Sequence, residues 1–423
     1  MIARREYLDE LERHRDKSRL IKVITGVRRC GKSTLLQLFR KKLLKENIPE
    51  NRIIDISLES IENEELRNGK TLYNYVKNKL KTNAKHYVFI DEVQLANNYE
   101  ETVNSLRLLN NTDLYVTGSN SNILSGKFAT RWTGRYIEIK MLPLSFREYA
   151  SVFPNVSPDI VYKNYIEQSS FPEVLSYHEN PKRNGTIKRD SAFSHTGRWD
   201  EGGVRKYLDA IYNSIMIKDV MLHHGVKEAA LLERVVKCLF SNIGSETSIN
   251  GMVNMLNSDL KLLPTEKKVY AAVLENYIEG LLKSFVFYKA ERSFIKGREY
   301  LRTNAKYYAV DVGLRYYLLG DKGADGGHIL ENIVYLELLR RGNKVHVGKI
   351  VDKEIDFVSE GSKGIEYYQV AETVRSKETL KRELIPLNAI SDHNPKFLLT
   401  RDYEPKTSHN GIKQLNVLEW LLG

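Results

Sequence analysis

Two glycines, a lysine and a serine stand at fixed spacing in Gly26-Val27-Arg28-Arg29-Cys30-Gly31-Lys32-Ser33. Glycine at the first and sixth places permits backbone angles that turn successive N–H groups toward one anion. A helix beginning near Lys32 adds its positive dipole end. The Lys32 ammonium then serves the β- and γ-phosphates of a nucleotide, and the Ser33 hydroxyl serves Mg²⁺. On this reading Gly26, Val27, Arg28, Arg29, Cys30, Gly31, Lys32, Ser33 and Thr34 bind ATP.

A second stretch supplies acids. Tyr87-Val88-Phe89-Ile90-Asp91-Glu92 is an apolar strand that delivers two carboxylates at its C-terminal end. Asp91 suits the Mg²⁺ shell, and Glu92 suits a base that polarises the attacking water. Leu114-Tyr115-Val116-Thr117-Gly118-Ser119-Asn120-Ser121 is a further buried strand ending in small polar residues. Ligands of parallel sheets gather at the carboxyl ends of strands, so Ser119 or Asn120 is a candidate sensor of the γ-phosphate or the water. Arg135, in Thr133-Gly134-Arg135, is a candidate arginine finger for its own nucleotide or a neighbouring subunit's, with Arg131 as the alternative.

These residues need a scaffold. Ile21-Lys22-Val23-Ile24-Thr25 reads as a buried strand, and Thr34 to Phe39 as a helix with an apolar stripe. Tyr7 to Arg15 reads as a preceding helix, Arg52 to Leu58 and Tyr136 to Ile139 as strands, and Thr71 to Leu80 as a helix.

Four stretches together resemble a prokaryotic family of AAA+-type ATP-binding proteins with a C-terminal domain of unknown function. They are Gly26 to Thr34, Phe89-Ile90-Asp91-Glu92-Val93-Gln94, Thr117-Gly118-Ser119-Asn120-Ser121, and Thr133-Gly134-Arg135 with Pro143-Leu144-Ser145-Phe146-Arg147-Glu148. The resemblance implies an α/β P-loop NTPase core (AAA+/ASCE) with parallel strand order 5-1-4-3-2, and it extends to Ser169-Ser170-Phe171-Pro172-Glu173-Val174.

Residues 181–204 are polar and glycine-bearing and read as a mobile loop. Helical patterns follow at Tyr207–Val220, Glu228–Leu239, Asn250–Leu256 and Val269–Leu282. A hairpin then runs from Phe285-Val286-Phe287-Tyr288-Lys289 to Lys306-Tyr307-Tyr308-Ala309-Val310. Helices followed by such a hairpin resemble a winged helix-turn-helix, with Arg292, Lys296, Arg298 and Arg302 placed to touch DNA phosphates, or merely solvated.

From Ile329 the order is helix, three strands (Lys344–Gly348, Glu354–Val358, Tyr367–Ala371), helix (Lys377–Asn388) and strand (Lys396–Thr400). Lys306 to Arg315 and Leu330 to Leu338 match the AAA+-type family's second signature, and this order resembles the PD-(D/E)XK nuclease fold. Glu331 and Asp356 match its helix and strand acids. Gln369-Val370-Ala371 replaces its Glu-x-Lys, which removes an acid and the lysine. The expectation is a vestigial nuclease site at Glu331, Asp356 and Gln369, kept for architecture or for binding nucleic acid or protein. The expected domains are 1–147 (ATPase), 148–305 (helical, winged-helix-like) and 306–423 (nuclease-like α/β).

The 423 residues suffice for several domains, with 42% hydrophobic and 28% charged residues. The net charge of +11 favours acidic partners such as nucleic acid, although it is small beside 65 basic and 54 acidic residues. Two cysteines, Cys30 and Cys238, build neither a disulfide framework nor a metal site and suit a reducing cytoplasm. No apolar run approaches membrane-spanning length. Three functions are weighed: an Mg-ATP-hydrolysing switch acting on nucleic acid or a protein partner, a DNA-processing protein with an active C-terminal nuclease, and a non-hydrolysing nucleotide-gated adaptor. Oligomerisation fits any of them.

Overall fold

The computed structural model describes residues 2–80, 84–124, 132–179, 198–222, 226–260, 268–295, 300–321, 323, 325–350, 352–403 and 407–423. The chain divides into two units, Met1–Leu142 with Lys283–Phe285, and Pro143–Leu282 with Val286–Gly423. Arg131, Lys296 and Arg298, and the loop expectation over 181–197, lie outside the described residues.

In the first unit α1 (Arg5–Arg13) leads to β1 (Ile21–Thr25), α2 (Lys32–Lys45), β2 (Ile53–Ser57) and α3 (Gly69–Lys79). Then come β3 (His86–Asp91), α4 (Tyr99–Arg107), β4 (Thr112–Gly118) and β5 (Tyr136–Lys140). The strands form one parallel sheet in the order β2-β3-β4-β1-β5, which is the implied 5-1-4-3-2. β1, β3 and β4 are buried along their whole length because helices cover both faces. Val23, Val88, Ile90, Leu114 and Val116 pack with Leu72, Val76, Val103 and Leu106. On α2, Phe39 meets Tyr115 at 5.2 Å between ring centroids and Phe89 at 6.3 Å. Because all five strands run the same way, the segments after β1, β3 and β4 emerge at one edge.

The opposite edge is closed by a buried ion pair. Lys22 and Asp113 are both 0% exposed, and the ammonium donates to Asp113 Oδ1 and to the Leu20 carbonyl. Tyr115 Oη (2.7 Å) and Asp16 N (3.0 Å) donate to Asp113 Oδ2. Burial pushes the Lys22 pKa down, and Asp113 opposes it. Lys22→Met strands a buried carboxylate, so it is expected to cost about 3–5 kcal/mol of unfolding free energy. Lys22→Met/Asp113→Asn should recover most of that loss in a denaturant titration.

The second unit opens with α5 (Phe146–Ala150), α6 (Pro158–Gln168), β6 (His178–Glu179) and β7 (Arg198–Trp199). The expected loop ends early. His178 pairs with Trp199, and α7 (Glu201–Ser214) starts at once because Asp200 caps it by accepting from Gly203 N at 3.0 Å. A π-helix (Ile215–Leu222), α8 (Ala229–Ser241), α9 (Ile249–Leu260) and α10 (Ala271–Lys283) follow.

Strands β8 (Phe287–Phe294) and β9 (Tyr300–Ala309) make the expected hairpin, but it does not stand alone. After α11 (Val312–Leu319) and α12 (Gly326–Arg340) come β10 (Lys344–Ile350), β11 (Lys353–Gly361) and β12 (Gly364–Ala371). The chain ends with α13 (Lys377–Asn388), β13 (Lys396–Thr400), β14 (Thr407–His409), β15 (Ile412–Asn416) and α14 (Val417–Leu422). β8 pairs in parallel with β10, so the hairpin is one edge of a mixed eight-stranded sheet, β14-β15-β13-β12-β11-β10-β8-β9. The residue 305/306 division falls inside β9.

Candidate functional site

The first unit's site grows from the turn between β1 and α2. Gly26 has φ 149°, and a Cβ there would lie 2.1 Å from the Met141 carbonyl oxygen, so only glycine fits. Arg29 (φ 65°) and Gly31 (φ 106°) complete the turn into α2. Gly31 gives α2 no side-chain cap, so the first N–H groups of this 14-residue helix are left for another acceptor. The turn is braced from behind. The buried Arg4 guanidinium donates to the carbonyls of Cys30 (3.1 Å) and Leu142 (2.6 Å). Cys30 itself is buried, and burial pushes its thiol pKa up.

Lys32 is 4% exposed, and its Nζ donates to the carbonyl oxygens of Gly26 (3.0 Å) and Val27 (3.2 Å) and stands 3.8 Å from Glu92 Oε1. Asp91 ends β3 beside it. Thr117 Oγ1 donates to Asp91 Oδ1 at 2.5 Å, and the Ser33 hydroxyl lies near enough to the Asp91 carboxyl to favour its charged form. Burial pushes the Asp91 carboxyl above the usual carboxylate range; the Thr117 and Ser33 hydroxyls oppose this, Glu92 adds to it, and Lys32 opposes it. A buried carboxylate beside a serine hydroxyl is a donor set that fits a hard divalent cation.

Glu92 turns into the left-handed region (φ 52°), held by its N–H bond to Thr117 Oγ1 at 2.9 Å. Its Oε2 accepts from Ser119 Oγ at 3.2 Å and from Gln94 Nε2. Ser119 and Asn120 are both buried, and Ser119 touches the acid. Gln94 carried no role in the sequence reading beyond its place in a motif. It reaches Glu92 because Gly118 has no side chain: a Cβ there would approach Gln94 Oε1 to 3.0 Å. Among the described residues Gln94 Oε1 is buried without a hydrogen-bond partner, and the amide is tied down through its nitrogen. Gln94→Leu is expected to lower turnover about tenfold, the scale of one lost hydrogen bond to a charged group, with nucleotide affinity unchanged. Steady-state kinetics beside equilibrium binding separates the two.

Arg135 is placed elsewhere. Its carbonyl accepts from Ile21 N at 2.9 Å, at the start of β1, whereas the phosphate loop follows the end of that strand. Five strand residues separate the two edges by roughly 16 Å. Arg135 therefore does not serve the phosphate loop of its own chain.

In the second unit Glu331, Asp356 and Gln369 do come together. Lys306 Nζ lies 2.9 Å from Glu331 Oε1 and 3.9 Å from Asp356 Oδ1, and Asp356 N donates to Gln369 Oε1 at 3.4 Å. Lys306 was missed, because nothing local to it signals a role. Arg292, read as a candidate for DNA phosphates or as merely solvated, is 6% exposed and paired with Glu246 (2.5 Å) and Glu354 (3.4 Å). Its charge is spent inside the fold.

Residues 18–150 match the family described as AAA domain, and residues 194–325 match a domain of unknown function. The chain is 37% identical over 428 residues to an uncharacterized protein of Haemophilus influenzae, covering 100% of this chain and 99% of the relative. The chain belongs to the AAA+-type ATPase family. A second relative, an uncharacterized protein of Methanocaldococcus jannaschii, is 30% identical over 378 residues, covering 85% of this chain and 77% of the relative. Among solved structures, this AAA+ protein is similar to the Aeropyrum pernix ORC2 protein in ADPNP-ADP complexes. That pair shows a TM-score of 0.44 at 12% identity over 80% of this chain and 94% of the other. No helix among the described residues is long and apolar enough to cross a membrane.

Proposed function

We propose that the protein binds and hydrolyses Mg-ATP and uses the cycle as a conformational switch acting on nucleic acid or a protein partner. The observation that carries this reading is the convergence of Lys32, Ser33, Asp91, Glu92 and Ser119 at one sheet edge. Bound magnesium would supply charge neutralisation for the transferring phosphoryl group. Ser33 and Asp91 would hold it. Gly26 to Thr34 would wrap the phosphates with main-chain N–H groups, and Lys32 would exchange its carbonyl partners for phosphate oxygens. Glu92, held by Ser119 and Gln94, would take the proton from water as general base. Ser119 is the better placed of the two sensor candidates, because its hydroxyl already contacts that base.

Arg135, remote from its own loop, is proposed to act on the nucleotide of a neighbouring subunit. ATP turnover, measured alone and with single- and double-stranded DNA, beside molar mass with and without nucleotide, tests the scheme. Turnover that rises under conditions of assembly and falls when Arg135 is replaced by alanine supports it. Absence of turnover in every condition overturns the hydrolytic reading in favour of a nucleotide-gated adaptor.

A further inference from the structure

A second charged centre lies in the second unit. α12 brings Glu331, β11 brings Glu354 and Asp356, and β9 brings Lys306, which is 4% exposed. Lys306 Nζ donates to Glu331 Oε1 (2.9 Å) and pairs with Glu354 Oε1 (2.8 Å), with Asp356 Oδ1 at 3.9 Å. Tyr308 Oη donates to the same Glu331 oxygen at 2.6 Å, and His328 Nδ1 stands 3.9 Å from its other one.

Other polar atoms of the centre are hydrogen-bonded as well. Val370 N donates to Asp356 Oδ2 at 2.8 Å. Gln369 uses both ends of its amide: Oε1 accepts from Asp356 N, and Nε2 donates to Glu383 Oε2 at 3.0 Å. Burial works against the Lys306 ammonium, yet Glu331, Asp356 and Glu354 together raise its pKa. Burial pushes the Asp356 carboxyl well up, Glu331 adds to this, and Lys306 opposes it.

We propose that Lys306 is the resident cation of this centre, standing where a metal-dependent phosphodiesterase would hold a divalent ion, so that the C-terminal sheet is a metal-independent charge hub. The ammonium bridges carboxylates from a helix and a strand, which is the bridging a magnesium ion would otherwise perform. Magnesium demands several oxygen ligands in near-octahedral array. Here the neutral Gln369 amide faces its neighbours, and Ala371 offers no amine to position water.

The hub also has a mechanical role. Arg292 and Asn304 of the hairpin both bond Glu246, and Thr247 pairs with Ala305. The turn between α8 and α9 is thereby fixed to the same hairpin that carries Lys306. Arg292, which also pairs with Glu354 of the charge centre at 3.4 Å, joins the helical segment to the sheet.

The test uses the full-length, nucleotide-free protein. Mn²⁺ uptake is followed by electron paramagnetic resonance, and Mg²⁺- or Mn²⁺-dependent cleavage of single- and double-stranded DNA is assayed on gels. Wild type and Asp356→Asn are expected to take up the same Mn²⁺ and to leave DNA intact. Lys306→Met is expected to melt roughly 10 °C lower, as loss of one partner of a buried ion pair implies. Lys306→Met/Glu331→Gln should regain at least half of that drop. Mn²⁺ uptake or DNA cleavage by the wild type that disappears in Asp356→Asn overturns the proposal, and so does a Lys306→Met protein with the wild-type melting temperature. If Lys306→Met cannot be obtained folded, the wild-type and Asp356→Asn comparison decides alone.

Discussion

Glu92→Gln is expected to lower ATP turnover by about 10²- to 10⁴-fold, the range for removal of a positioned general base. Nucleotide affinity should hold or increase. The substitution keeps the shape of the side chain and its place beside Ser119 and Gln94, but it removes the charge that faces Lys32 at 3.8 Å. On the proposed scheme Lys32 then keeps its other work, which is to meet phosphate. A glutamine amide cannot accept the proton of water, so the step that fails is hydrolysis and not capture. Single-turnover measurement with trapped nucleotide separates the two. Turnover within threefold of wild type, with binding intact, would show that Glu92 is not the base.

What the sequence made legible follows from how local each signal is. The phosphate turn is written in eight consecutive residues, and its glycines are needed by the backbone itself: Gly26 has a carbonyl oxygen where a Cβ would go. The central strands are buried on both faces, so they read as mainly apolar runs and their type is plain. The partners of strands are another matter. The β8–β9 hairpin has the same pattern whether it stands free or edges a sheet, and only its pairing with β10 distinguishes the two.

Long-range polar contacts were equally hidden. Lys306 precedes Glu331 by 25 residues and belongs to a different element, so no spacing rule connects them. Arg135 directly precedes β5, so its place at the edge away from the phosphate loop already follows from the parallel order that the resemblance implies. Gln94 could be read only as part of a pattern. Its bond to Glu92 requires the left-handed turn at Glu92 and the missing side chain at Gly118.

Asp91→Asn is expected to separate stability from function in opposite directions. The Asp91 carboxyl is raised above its ordinary value, mainly by burial. A carboxyl harder to ionise in the folded chain than in the unfolded one costs stability once the pH is above the unfolded value. That cost fades as pH falls through the folded pKa, and it vanishes below the unfolded value of about 3.9. Asp91→Asn should therefore raise the melting temperature of the nucleotide-free protein at pH 7, by an amount that shrinks toward pH 4. Turnover should fall roughly 10²- to 10³-fold, because an amide is a poorer ligand for magnesium and several kcal/mol of charge stabilisation depends on that ion. The wild type should also need more Mg²⁺ for half-maximal turnover as pH drops, since protons and metal compete for one carboxylate. Asp91→Asn should lose that part of the pH dependence. A variant that melts lower than wild type at pH 7 and keeps its Mg²⁺ requirement unchanged would remove Asp91 from the metal site and leave it a structural acid held by Thr117 and Ser33.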